Sequence, residues 1–182
     1  MSTHDTPRKP SPEIMQWLDA SWGLDSEGAI VWIRDGLTRN IKAGDPVYCG
    51  LLSTGYVYCR TSTKPRRMIK AHHLTWYFTY GEWPHMQIDH IDCNRPNNSI
   101  ANLRLATKAQ NMQNKKIKSL ARALPRGVNK SYKDNYSASI TAANRRMYLG
   151  YFKTAKEAAE AYKHASLEFH KDFSCFAHQE VT

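Results

Sequence analysis

The stretch Asp89-His90-Ile91-Asp92, followed by Asn97-Asn98, Asn102-Leu103-Arg104 and Asn111, decides the reading of this chain. Between Asp89 and Asn111 it sets an acid–histidine pair, a run of asparagines and a last asparagine at a helix start. Physically, these are one candidate base, a small set of hard oxygen donors and a short scaffold able to gather them. Oxygen donors of this kind suit Mg²⁺ or Mn²⁺, and a hydrated divalent ion beside a histidine base can split a phosphodiester. Thr107-Lys-Ala-Gln110 has the form of a capping box and marks the start of the helix that carries Asn111. The segment Asp89–Thr107 is expected to be a compact β-hairpin with an irregular loop at Asn94–Asn98.

From about Lys70 to Asn114 the sequence resembles the HNH (ββα-metal) endonucleases, in particular the phage and intron-encoded homing type. The resemblance implies a strand–loop–strand–helix core. It makes His90, placed directly after an aspartate, the general base that activates water for in-line attack on phosphorus. Asp89 and Asn111 become the metal ligands, with Asn111 standing where other members have a histidine. Asn102 becomes the middle asparagine that pins the hairpin and orients the base. Asp92, Asn97 and Asn98 are expected to hold the loop together by side-chain to backbone bonds. His72 matches the family's histidine ahead of a buried helix, and His73 sits where an arginine is usual; both could approach a phosphate or simply pack. One carboxylate and one amide make an open site whose shell is completed by water and phosphate, as suits Mg²⁺ (or Mn²⁺).

The net charge of +10 is concentrated. Between Arg104 and Arg146 stand eleven basic residues and one acid, Asp134, so this band holds the whole excess. A concentrated positive charge points to a polyanion, and the band lacks the apolar face that membrane adsorption needs. The expected partner is double-stranded DNA, with a monomer favoured. No apolar run approaches the roughly 20 residues of a membrane helix, and the polar start of the chain has no signal-peptide pattern. The four cysteines (Cys49, Cys59, Cys93, Cys175) form no CxxC pair. They are expected to be reduced thiols in a cytoplasmic protein without structural zinc.

The sequence on either side of the motif divides into domains. Residues 1–12 form a disordered lead-in, and 13–115 a nuclease domain that opens with a helix over 13–22 and a β-meander through Ala29–Ile33, Val47-Tyr48, Gly55–Arg60 and Arg67–Lys70. A short buried helix over His72–Tyr80 ends at Gly81. A basic linker or helix extension covers 116–124. Beyond Pro125 three short strands (126–130, 136–141, 146–152) precede a helix opened by the capping box Thr154–Glu157. Its Ala155, Ala158, Ala159, Tyr162, Ala165, Ser166 and Phe169 share one face. Residues 177–182 are a tail. The fold class expected is α+β.

Segment 125–176 resembles an AP2/ERF-type DNA-binding domain through Arg126-Gly-Val128, Tyr136, Ala138 and Ile140, Leu149-Gly150, Phe152, Ala158-Ala159, Ala161-Tyr162 and Phe169-His170. That family lays its sheet in the major groove, which makes Arg126, Lys130, Tyr132, Tyr136, Arg145 and Arg146 candidate readers. Arg104, Lys115, Lys116, Lys118 and Arg122 are expected to contact DNA as well, the lysines and Arg122 by following the backbone. The leading function is a site-specific HNH homing endonuclease of the nicking type, an expectation with two rivals. One is an AP2-type regulator with an inactive HNH fold; the other is a phage nuclease of packaging or host-DNA destruction. A plasmid-nicking assay separates the first rival, and a map of cleavage sites the second.

Overall fold

The computed structural model describes residues 6–36, 40–115 and 124–178, and the chain is an α+β protein of two compact units, Met1–Lys108 and Ala109–Thr182.

In the first unit, α1 (Pro12–Ser21) starts with a proline in its first turn, where no amide hydrogen is needed. Its Ile14, Met15 and Leu18 recur at helical spacing and are buried together with the next residue, Trp22. Trp22 belongs to β1 (Trp22–Leu24), which pairs antiparallel with β2 (Ile30–Trp32). The rings of Trp17, Trp22 and Trp32 meet edge to face with centroids 5.0–6.1 Å apart. Strands β3 (Cys49–Leu51), β4 (Val57–Arg60) and β5 (Met68–Lys70) form an antiparallel sheet in that order. Val47-Tyr48, expected as a strand, falls just before β3, beside an isolated bridge from Pro46 to Val31.

The cysteine expectation needs correction. Cys49 and Cys59 stand opposite each other in the β3–β4 register, Cα atoms 4.3 Å apart, and are joined by a disulfide. Ten positions of separation look scattered in sequence, but a hairpin closes them. Cys93 and Cys175 are thiols.

Chain direction reverses into α2 (Ala71–Tyr80) directly from β5, and Gly81 ends it with a left-handed φ of 73°. Two faces of α2 serve two cores. Ala71 and Leu74 join Leu18, Trp22, Cys59 and Ile69, while Trp76 packs on Ile88 and Leu103. Those last two belong to β6 (Gln87–His90) and β7 (Leu103–Ala106), an antiparallel pair in which Asp89 faces Arg104 and His90 faces Leu103.

The second unit contains the bulk of α3 (Lys108–Asn114), then β8 (Val128–Lys130), β9 (Tyr136–Ala142), β10 (Arg145–Phe152) and α4 (Ala155–His170). The sheet order is β10-β9-β8, and α4 packs along all three strands. Ala143 and Asn144, with φ of 48° and 60°, make the two-residue turn between β9 and β10. The Thr154 side chain accepts from the Glu157 amide, and Glu157 accepts from the Lys153 amide, so the expected cap forms.

Along α4 the buried residues are Ala158, Tyr162, Ala165, Ser166 and His170. Phe169 is exposed, contrary to expectation, because the stripe advances by four from Ser166 and selects His170. His170 donates from Nε2 to the Thr141 carbonyl at 3.0 Å and accepts at Nδ1 from Ser166, which also meets Ser174. A histidine without any signal in the sequence thus ties the helix end to β9. Of the linker or helix extension expected over 116–124, residues 116–123 lie outside the described residues.

Gly127 adopts φ 72°, and a Cβ there would lie 2.0 Å from the Tyr162 ring and 2.8 Å from the Ser139 carbonyl oxygen. Gly127→Ala therefore meets both backbone strain and a collision with a buried ring. We expect it to destabilise the second unit by about 2 kcal/mol or more, seen as an early far-UV transition. An unchanged midpoint would mean that this packing is absent in solution.

Candidate active site

The loop between β6 and β7 is built on one reciprocal pair. Asn102, in a 3₁₀ turn just before β7, accepts from the Asp92 amide at Oδ1 (3.0 Å) and donates from Nδ2 to Asp92 Oδ1 (2.9 Å) and to the Asn97 carbonyl (2.8 Å). Asp92 also accepts from the Asn94 amide and the Asn97 side chain, both at 2.7 Å. Burial alone would raise the Asp92 pKa, but these three donors outweigh it and leave the carboxyl below its ordinary value. The chain doubles back through Cys93, whose positive φ of 60° follows a turn in which its amide donates to the His90 carbonyl. The asparagines expected to organise the loop do so.

His90 is only 4% exposed at the end of β6. Its Nε2 lies 3.1 Å from Asn98 Oδ1, and Asn98 Nδ2 donates to the Pro96 carbonyl at 3.2 Å. That second bond turns the amide oxygen toward His90, so Nε2 carries the hydrogen and Nδ1 is the accepting nitrogen of the neutral ring. Asn98 thus touches the His90 ring directly. Asn102 pins the hairpin loop, as expected, and its side-chain bonds go to Asp92 and Asn97. Only the coordinates separate them, since both are asparagines within the same run.

Burial is the largest influence on the His90 pKa and lowers it, and Arg95 pushes the same way. The hydrogen bond to Asn98 and the charges of Asp89 and Asp92 oppose without prevailing. His90 is consequently neutral near pH 7, the form a general base requires. The rings of Tyr56 and His72 lie near it, with centroids 6.1 and 5.1 Å from the imidazole.

Asp89 is buried and shares Oδ2 with Arg104 on the opposite strand, 2.9 Å from Nε and 2.8 Å from Nη2. Arg104 is thus the partner of a buried carboxylate rather than a residue extended toward DNA. Pairing is what makes an ionised Asp89 tolerable there. Among the described residues no cluster of three or more His, Cys, Asp or Glu is placed to hold a metal. The donor chemistry nevertheless fits a hard ion. A buried carboxylate and amide oxygens are what Mg²⁺ takes, with water filling the remaining positions. An ion at Asp89 would share that carboxylate with Arg104.

Asn111 sits on α3 in the second unit and is half-buried. Arg126 is not presented for base reading. Its guanidinium donates to the carbonyls of Met112, Gln113 and Lys115 at 2.8–3.0 Å, capping the end of α3. Lys115 is exposed, while Lys116, Lys118 and Arg122 lie outside the described residues. Lys130 pairs with Asp134 at 3.0 Å, and Tyr136 is drawn into the core with Val128, Ala138 and Ala158. Arg145 and Arg146 are exposed, the latter donating to Ser139 Oγ. Tyr148 and Tyr151, which sequence reasoning passed over, project from β10 with rings 5.4 Å apart. Strand alternation across the bulge at Leu149–Gly150 was the signal that could have found them.

Comparison with known proteins finds likenesses over this part of the chain. Residues 70–113 match the family model described as HNH endonuclease. The chain is also 36% identical over 87 residues to an uncharacterized HNH endonuclease of Acanthamoeba polyphaga mimivirus. That alignment covers 48% of this chain and 44% of the viral protein, so the chain spans less than half the length of its relative. No solved structure matches.

His72 provides a test of the packed environment around His90. Burial above all, then His73, His90 and Lys70, lowers its pKa from 6.5 to about 2. The folded state therefore holds it neutral, whereas the unfolded chain protonates it below about 6.5. Its contribution is complete above pH 6.5 and is lost as pH falls from there toward 2, at about 1.4 kcal/mol per unit. The stability of His72→Phe relative to wild type should rise by that slope between pH 6.5 and 4.5 in urea titrations. A constant difference would show that His72 is not desolvated.

Proposed function

We propose that this chain is a metal-dependent DNA endonuclease of the HNH homing type, with His90 as general base. The observation that carries the proposal is a buried, neutral histidine whose tautomer Asn98 fixes, beside the Asp89 carboxylate. In the reaction, His90 Nδ1 takes a proton from water as the water oxygen attacks phosphorus and the bond to the leaving sugar oxygen breaks. Asp89 and Asn111 are the proposed ligands of Mg²⁺ or Mn²⁺. When bound, the ion would polarise the phosphodiester and offset charge on the leaving oxygen. Asn102 preserves the loop that holds this arrangement.

Double-stranded DNA is the proposed substrate. The AP2/ERF-like reading of 125–176 assigns target recognition to that segment, and it is supported by a three-stranded sheet backed by one helix with Arg145, Arg146, Tyr148 and Tyr151 exposed. Lys115, Lys116, Lys118 and Arg122 are proposed backbone contacts. A monomer with a single such site cuts one strand, so nicking is the proposed outcome. No helix among the described residues is long and apolar enough to cross a membrane.

Supercoiled plasmid with and without Mg²⁺ tests the reading. His90→Ala should lower nicking by on the order of 10² to 10⁴ while duplex binding persists. Asn98→Ala should keep the fold and lose about tenfold, since the ring survives without its orienting acceptor. If His90→Ala nicks within about threefold of wild type, the base lies elsewhere.

A further inference from the structure

Three side chains beside His90 have no role in the chemistry above. Tyr56 precedes β4, Lys70 ends β5, and Arg95 projects from the β6–β7 loop. The Lys70 ammonium lies 4.6 Å from the centre of the Tyr56 ring, and the Arg95 guanidinium carbon lies at the same distance. Arg95 also donates to the carbonyl of Thr54, which anchors its side chain between the active-site loop and the β3–β4 turn. Tyr56 in turn stacks near both His72 (5.4 Å) and His90 (6.1 Å).

Two cations on one ring gain attraction from its π-face but repel each other. The repulsion registers in the structure: burial and the Arg95 charge both lower the Lys70 pKa. Among the described residues, neither cation forms an ion pair with a carboxylate. Two cations held this close, with no carboxylate paired to either among the described residues, raise the local concentration of anions at that point. The donor types match a phosphate: the guanidinium offers a fork for two oxygens and the ammonium a compact charge. The position matches as well, because the ring under both cations is in van der Waals range of the rings around the base.

We propose that Tyr56, Lys70 and Arg95 form a clamp for the DNA phosphate next to the one being cut. The clamp positions the strand so that the scissile phosphorus faces His90. It rests on the endonuclease reading for its substrate. Tyr56 lies outside the segment that matches the HNH endonuclease family, so this role belongs to the N-terminal sheet of this chain.

The test measures binding of a duplex oligonucleotide of about 30 base pairs over a range of salt, in the full-length His90→Ala protein, so that no cleavage intervenes. Adding Lys70→Gln and Arg95→Gln should reduce the slope of log affinity against log salt by about 0.9, for the one phosphate contact removed. Arg95→Lys keeps the charge and should keep the slope. Tryptophan fluorescence confirms folding, and if the double variant does not fold, Arg95→Gln alone should still remove part of that slope. An unchanged slope, or an equal loss with Arg95→Lys, overturns the clamp. Wild-type protein that cuts no DNA with Mg²⁺ or Mn²⁺ would instead sink the endonuclease reading, and the slope result would stand by itself.

Discussion

Asp92 and Asn102 grip each other twice, backbone amide to side-chain oxygen and side-chain amide to carboxylate, and the first unit's site depends on this closure. Without it the residues from Ile91 to Ser99 have no strand ladder to follow and no core to join. With it, Asn97 is drawn onto Asp92, the chain turns at Pro96, and Asn98 arrives against the His90 ring. A neutral bond contributes only about 1 kcal/mol net, and one to the ionised Asp92 carboxylate about 1.5–3, and they are concentrated on two side chains. The loop is therefore fixed by polar geometry, while the strands on either side are fixed by Ile88, Leu103 and Trp76.

Electrostatics divides the neighbouring groups by task. His90 is held neutral by burial against the pull of two carboxylates, which makes it able to accept a proton. Asp89, one residue earlier on β6, is stabilised by Arg104 across the strand pair. Alternation along a single strand thus gives adjacent residues different partners, Asn98 for His90 and Arg104 for Asp89. The same alternation on β10 separates Met147 and Phe152, turned to the helix side, from Arg146, Tyr148 and Tyr151 on the exposed side.

Much of this was legible from sequence because local rules agreed with the fold. Gly81 and Thr154 mark helix ends through chemistry that acts within a few residues, and the spacing of Ile14, Leu18 and Leu74 reports burial directly. The motif around Asp89 and His90 was legible for the same reason. What escaped the sequence depended on register and on contacts distant along the chain. The Cys49–Cys59 pairing requires knowing which hairpin positions face each other. Arg104 and Arg126 looked like free positive charge, but one completes a carboxylate and the other caps a helix; neither partner is visible from composition. Asn98 and Asn102 are the same residue type four positions apart, and only the direction of each amide assigns their roles.

The central claim is that His90 is a neutral base whose Nε2 hydrogen is held by Asn98. Nitrogen-15 NMR of histidine-labelled full-length protein near pH 7 reports which ring nitrogen carries the hydrogen. The account predicts an Nε2–H ring with an unprotonated Nδ1 for His90, shifting toward a tautomer mixture in Asn98→Ala. An Nδ1–H ring, or a doubly protonated one, would contradict it.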